Sequence, residues 1–406
     1  MPAYNTYTDT LNANFKVVYA PKIENLIPEG VKLQHRIPFS GRQAQLGLLY
    51  SQPLVLGLEH GVTFAGATDD AFALNAPIAG QLKEAQVRGS QMVLRSVLGY
   101  AAAARAAAGT QAAFEDSTKF LVQNMMRSMA KKLEIELLYG QMGYGVVAST
   151  SGNTITITTA EWAPGIWAGA NNMPIQIRSS AGVLRGTANV VSVDMNLRTV
   201  TVDLLPGGVV ATDIIWHNGA YNNEFAGIHK ILTNTGTLFG IDASQYDLFK
   251  GNTLTLSSAP LSFAVIQDAI ARAVEKGLDS DVVVLVNPRA WSDLLTEQAA
   301  LRQYDSSYRA SVSENGAQEI MFHGQNGKVE IVPSIYVKEG HAFVLCMEDF
   351  MRVGSTDITF RRPGQGDDFF RELENNAGYE LRAYTDQAVF CMAPGRSTLI
   401  AGIQNS

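Results

Sequence analysis

The sequence predicts a chain of the α+β class with more than one body. Three observations carry this. Residues 112–139 contain neither Gly nor Pro and repeat apolar side chains at three- and four-residue steps, which marks one long amphipathic helix. Residues 146–220 hold few charges and a series of short alternating strands, which reads as a small β-barrel or sandwich inserted into the main fold. From about Ser244 onward, helical periods alternate with apolar strands, an α/β pattern. At ~100–200 residues per domain, 406 residues allow two to four domains.

Composition narrows the function. Hydrophobic residues make up 46% of the chain, enough for packed cores. Charged residues make up only 17%, against a usual ~25%, so the chain is short of solvating charge and much of its surface is expected to be covered by other chains. The net charge is −7, the pI is near 5.5, and no run of five basic residues exists, which argues against tight nucleic-acid binding. Cys346 and Cys391 are too few for a disulfide framework or a zinc site. No apolar run reaches the ~18 residues of a membrane span, and residues 1–20 lack the apolar core of a signal peptide.

The elements follow in order. Residues 1–50 are interrupted by Pro21, Pro28 and Pro38 and read as an extended arm whose Phe15, Val17, Val18, Tyr19, Ile23, Leu26 and Ile27 need a surface to bury on. Residues 52–95 read as a long β-hairpin, with strands at Pro53–Leu56, Gly61–Phe64 and Gln91–Arg95. Between Asp69 and Ala85 there is little to build a core from, so the hairpin is expected to project. An alanine-rich stretch from Val97 to Ala108 reads as a helix ended by Gly109. The 112–139 helix follows, with Thr118, Val122, Met125, Met129, Leu133 and Leu137 on one stripe. At ~1.5 Å per residue it spans about 40 Å, the length of a spine. Its methionines read as core packing and not as a cofactor box.

Gly140, Gly143 and Gly145 end that helix. In the β module, Asp194 to Arg198 is a hairpin connection. Leu261 to Lys276 is an amphipathic helix, Val282 to Val286 a strand buried on both faces, and Pro288 opens a helix to Leu301. Val329–Val332, Ala342–Leu345, Asp357–Phe360, Tyr379–Tyr384 and Ala388–Cys391 are further strands.

Catalytic chemistry leaves no trace. There is no GxGxxG, P-loop, GxSxG, HExxH or CxxC. The six histidines lie far apart in sequence, and none pairs at i,i+4. Glu59 with His60, and His323 near Glu319, are the nearest to acid/base pairs, and both read more plainly as surface residues. Asp367 and Asp368 after two glycines read as a solvated loop before they read as a cation site. With Arg361 and Arg362 just ahead of them, they suit charge pairing between subunits. Trp162, Trp167, Trp216 and Trp291 form no ligand cage in the sequence. No catalytic, cofactor-binding or metal-ligating residue is therefore assigned, no cofactor is expected, and the chain reads as a non-enzyme.

Three stretches in this order resemble the major capsid proteins of tailed double-stranded-DNA bacteriophages, with the Hong Kong 97-like capsid fold. They are Gln52 to Phe64, the spine through Lys132 to Gly140, and Tyr379 to Phe390. The resemblance implies an N-arm at 1–50, an E-loop at 51–95, a peripheral domain from 96–145, 221–245 and 356–406, an axial domain at 246–355, and an inserted β module at 146–220. It implies hexamers and pentamers closing into an icosahedral shell around the genome, with E-loop and N-arm lying over neighbours. The partners implied are the chain itself, a separate scaffolding protein, a portal protein, a decoration protein, and double-stranded DNA touched non-specifically. No membrane is involved. The setting is the virion, after assembly in the host bacterial cytoplasm. In some relatives an E-loop Lys is cross-linked to a peripheral-domain Asn; Lys83 and Asn375–Asn376 would be the counterparts. Competing readings are an encapsulin-type compartment for protein cargo, a soluble two-domain enzyme, and a phage tail or decoration protein.

Overall fold

The computed structural model describes residues 30–37, 39–44, 47, 49–68, 70–99, 111–302, 320–361, 370–372 and 378–405. Most of the expected arm, Ala101–Ala108, Glu319, Arg362, Asp367–Asp368 and Asn375–Asn376 lie outside these residues.

The spine helix runs unbroken over Gln111–Tyr139. Met125 and Met129 pack with Leu381 and Ala383 in one small core, while Leu133, Leu137 and Tyr139 enter the largest core of the chain. One apolar stripe thus serves two cores. The helix stops at Gly140, where a side chain is impossible: a Cβ there would stand 2.3 Å from the Phe225 carbonyl oxygen of the returning chain.

Residues 145–217 form a closed barrel. Its six strands are Gly145–Ser151, Thr154–Ile157, Pro174–Arg178, Leu184–Asp194, Thr199–Val202 and Ile214–His217, and the last pairs with both the first and Pro174–Arg178. Alternation sends Ile155, Ile157, Ile175, Ile177, Val190, Val200 and Val202 inward. The connection at Asp194 is as expected: its Oδ1 accepts from the N–H groups of Asn196 and Leu197, each at 2.9 Å. Trp162 and Trp167 stack at 6.1 Å and are buried between barrel strands.

A six-stranded mixed sheet forms the α/β body. Its order is Asn252–Ala259, Thr398–Ile403, His341–Leu345, Val282–Val286, Gly327–Pro333 and Ile320–Gly324. Val282, Val284 and Val286 face one core, with the helix Phe263–Val274, while Val283 and Leu285 face the core shared with the barrel. This is the two-sided burial that the apolar run predicts. Ser262 caps the helix, its hydroxyl accepting from the Val265 N–H at 3.3 Å. The helix opened by Pro288 runs to Arg302. By hydrogen bonding, Thr398–Ile403 belongs to this sheet; an alternating stretch does not say which sheet it joins.

A second sheet pairs Phe39–Ala44, Phe350–Thr359, Gly378–Cys391, Phe370–Glu372 and Ser90–Gly99. It corrects the helix expected from Val97. Val97 and Leu98 pair with Glu380 and Tyr379, so cross-strand hydrogen bonds override helix propensity there.

Candidate functional site

The feature that stands out from this body is the hairpin of Tyr50–Gly57 and Gln81–Val87. Its register runs from Tyr50 opposite Val87 to Gly57 opposite Gln81. The base is seated: Ala85 and Val87 are buried, and the Gln86 N–H donates to the Phe239 carbonyl at 2.8 Å. At the far end of the ladder a Cβ on Gly80 would stand 2.7 Å from the Gly57 carbonyl oxygen, so only glycine lets the strands close up there.

Beyond Gly57 the chain runs out and back over residues 58–80. The strand expected at Gly61–Phe64 does not form. His60 donates its N–H to Ile78 at 3.1 Å, but Pro77, with no N–H to give, lies on the opposing run. Asn75 ties the two runs together instead. Its N–H donates to Thr63 Oγ1 at 2.8 Å and its side-chain amide to the Val62 carbonyl at 2.9 Å. The excursion is ordered by polar ties and leaves its apolar side chains outside. Phe64 is 90% exposed and Leu74 80%, with Val55, Leu58, Val62, Phe72, Ile78 and Leu82 also exposed. These eight are more than a third of the 22 large exposed apolar side chains among the described residues, so the exposure is concentrated and not scattered. Glu59 and His60 are exposed at the same tip, and Lys83 is exposed on the returning strand.

Two buried polar assemblies hold the projecting parts on the body. The first anchors the strap at residues 30–37. Glu134, fully buried in the spine helix, accepts from the N–H groups of Lys32 and Leu33 at 2.8 Å and Gln34 at 3.0 Å. Burial pushes its carboxyl up, although the three N–H groups oppose this. At the other end of the strap Arg36 pairs with Glu330, and Arg352 Nε donates to the Ile37 carbonyl at 2.5 Å.

The second assembly joins four elements. Tyr139 comes from the spine, Glu161 from a turn between barrel strands, His229 from the helix Ile228–Thr233, and Lys338 and His341 from the entry to a central sheet strand. Lys338 Nζ donates to Glu161 Oε2 at 2.7 Å and to the Gly143 carbonyl at 3.1 Å, and lies 4.4 Å from the Tyr139 ring centre. The Tyr139 hydroxyl accepts from the Lys338 N–H at 2.8 Å. His341 lies 3.7 Å from Glu161 Oε1, and its ring is 4.8 Å from that of His229. Burial raises the Glu161 carboxyl, but the Lys338 ammonium outweighs it and brings the group to about 2. Burial holds His341 down at about 4 and His229 at about 3, so both rings are neutral at pH 7.

Two of the six histidines, His229 and His341, far apart in sequence, therefore meet here. Tyr139, Lys338, His229 and His341 are buried, and Glu161 is partly exposed at the edge of the cluster. Among the described residues no group of three His, Cys, Asp or Glu could hold a metal ion. Neither assembly was assigned from the sequence. The signal available was a charged residue in apolar surroundings, as at Glu134 between Leu133 and Ile135, or at Lys338–His341 just ahead of Ala342–Leu345. Of the other residues weighed, His323 is on an edge strand, Arg361 is exposed, and Cys346 and Cys391 are buried free thiols. No helix of the described residues is long and apolar enough to cross a membrane.

No family model and no curated protein matches the chain. Solved structures do. The cyanophage A-1(L) capsid asymmetric unit aligns with a TM-score of 0.59 at 10% identity, over 98% of this chain and 100% of that one. The capsid of the native GTA particle aligns with a TM-score of 0.52 at 9% identity, over 98% and 99%. At such identities the likeness shows the fold. The chain has the α+β, Hong Kong 97-like capsid fold, as the sequence resemblance implies.

Proposed function

We propose that this chain is the major capsid protein of a tailed double-stranded-DNA bacteriophage, assembling as hexamers and pentamers into an icosahedral shell around the genome. The observation that carries the reading is the ordered hairpin that leaves eight large apolar side chains in water. Burying one such side chain is worth about 2 kcal/mol. A subunit that keeps them outside gains that only from a neighbour, less the cost of ordering. The low charge fraction fits a surface covered on several sides, and the net charge of −7 fits a wall that encloses DNA without gripping it.

In this reading the strap bolted by Glu134 and Arg352 is the root of the N-arm, and the hairpin is the E-loop. The domains in this reading are an arm at 1–50, an E-loop at 51–95, a peripheral domain at 96–145, 221–245 and 356–406, a β module at 146–220 and an axial domain at 246–355, with the strand Thr398–Ile403 crossing back into the axial sheet. The partners are further copies of the chain, a separate scaffolding protein, a portal protein and a decoration protein. Assembly takes place in the host bacterial cytoplasm, and the role is structural, not catalytic.

The test is expression of the full chain followed by electron microscopy. Closed icosahedral shells, or hexamers and pentamers, are expected. A monodisperse monomer under every condition overturns the reading and reopens the search for an enzyme. Tubes or trimers in place of shells favour a tail or decoration protein. Purified particles that hold protein and no DNA favour a cargo compartment.

A further inference from the structure

Beside the spine helix, under the strap of residues 30–37, runs a groove of about 660 Å³. Ile166, Met173 and Ile358 give it an apolar floor. Among its described lining residues Lys32, Lys131 and Lys132 face a single carboxylate, Asp357. Asp357 is already held by Arg352, at 3.1 and 3.2 Å. The groove therefore has an excess of positive charge over apolar surface.

Lys131 is where the imbalance is sharpest. It is half-buried; among the described residues its ammonium makes no ion pair and donates to the Ala168 carbonyl. Burial alone lowers it to about 8. The neighbouring Lys132 differs. It donates to the Tyr144 hydroxyl at 3.2 Å and faces Glu136 and Glu224. Burial holds it at about 7, with Lys131 adding to the shift. His217, whose own proton Lys132 disfavours, completes the charged and titratable groups around the pair.

We propose that this groove is a docking site for an acidic, apolar peptide segment of a second polypeptide. Its carboxylates pair with Lys131 and the basic rim while its apolar side chains cover Ile166, Met173 and Ile358. A bare phosphate chain would answer the charge and leave the apolar floor wet. A purely apolar segment would cover the floor and bury the Lys131 ammonium without a counter-ion, a costly arrangement. Only a segment carrying both satisfies both. The inference stands on the groove and does not depend on shell formation.

The test uses the full-length chain and fluorescence anisotropy with three labelled probes. One is an eight-residue peptide alternating leucine and glutamate. The second replaces every glutamate by glutamine, and the third is a twelve-nucleotide single-stranded DNA. Saturable binding of the acidic peptide is expected, at least tenfold tighter than either control. Lys131→Gln should weaken it at least tenfold, and so should Asn124→Trp, which blocks the groove from an exposed helix position. Because the Lys131 proton is needed, affinity should fall at least fivefold between pH 7 and pH 9.5. Lys131→Arg, charged throughout, should flatten that fall. No binding, equal binding of the glutamine peptide, or indifference to both Lys131→Gln and Asn124→Trp overturns the proposal. Tighter binding of the DNA overturns it in favour of a nucleic-acid surface. Displacement by a peptide of residues 20–29, which carries Glu24 and Glu29 and ends beside the groove-lining Gly30, at lower concentration than the probe itself, would overturn the second polypeptide in favour of this chain's own leading segment.

Discussion

The hairpin at 50–87 and the barrel at 145–217 are both β outgrowths of the same body, built from similar residues, and they solve burial in opposite ways. The barrel closes on itself, so every strand has two partners, and its alternating Ile and Val side chains share an interior continuous with the main core. The hairpin has two strands and no second layer. It seats Ala85 and Val87 at its base and holds its distal run by Asn75 and Gly80, with Phe64 and Leu74 in water. Closure makes the apolar pattern of one region a matter of its own stability. Its absence makes the pattern of the other a matter for a neighbour.

Four experiments break or sharpen that contrast. The largest effect is expected from Phe64→Asp combined with Leu74→Asp. Shell yield by electron microscopy should drop more than tenfold, while the urea-unfolding stability of the unassembled chain stays within ~0.5 kcal/mol, as for other exposed sites. A loss of stability comparable to a core substitution would place these side chains in the subunit's own core and remove the contrast.

Next comes the seat of the barrel. Below about 6.5 an unfolded chain takes up protons on His229 and His341, while the folded chain keeps them neutral until about 3 and 4. At these two rings the unfolded state binds more protons in that window, so their contribution to stability falls by roughly 5 kcal/mol as pH is lowered from 6.5 to 4, opposed by the carboxyls of Glu134, Glu136 and Glu224 that burial raises. Below 4.5 the protonation of Glu161 adds to the loss. His341→Gln should remove about half of the histidine contribution, read as the difference between the variant and the parent in denaturant titrations at several pH values.

A smaller effect follows from emptying the barrel. Ile177→Ala should cost about 3 kcal/mol through the lost methyl groups and the cavity, and a urea midpoint shift at constant slope would measure it. The smallest is Asn75→Ala, which removes two hydrogen bonds at an exposed site. It should cost about 1 kcal/mol and show as faster amide exchange at the Val62 to Asn75 segment, with the barrel unchanged.

Much of this contrast is legible in the sequence. Regular spacing of short strands between Gly145 and His217 announces a closed or layered β unit, and a run of residues with little core material between Asp69 and Ala85 announces a projection. What could not be read is which distant residues meet. Tyr139, Glu161, His229, Lys338 and His341 span 203 positions, from 139 to 341, and share no motif, because their grouping is set by the docking of four elements. Glu134 follows Leu133 in the sequence with no motif around it, and its carboxylate finds three N–H donors only once the strap crosses the spine. The misread helix at Val97 has the same origin, since local propensity lost to a partner strand some 280 residues away.

The sequence by itself determined the spine, the barrel's strand pattern, the two-faced central strand and the unburied hairpin. Each of these depends on periodicity within one stretch of chain, and apolar periodicity is a local property. Only the tertiary structure decided the barrel's closure, the sheet that Thr398–Ile403 joins, the buried ionic seat and the basic groove beside the spine. Each of those depends on desolvation and charge pairing between segments far apart in sequence, and those energies exist only once the segments have been brought together.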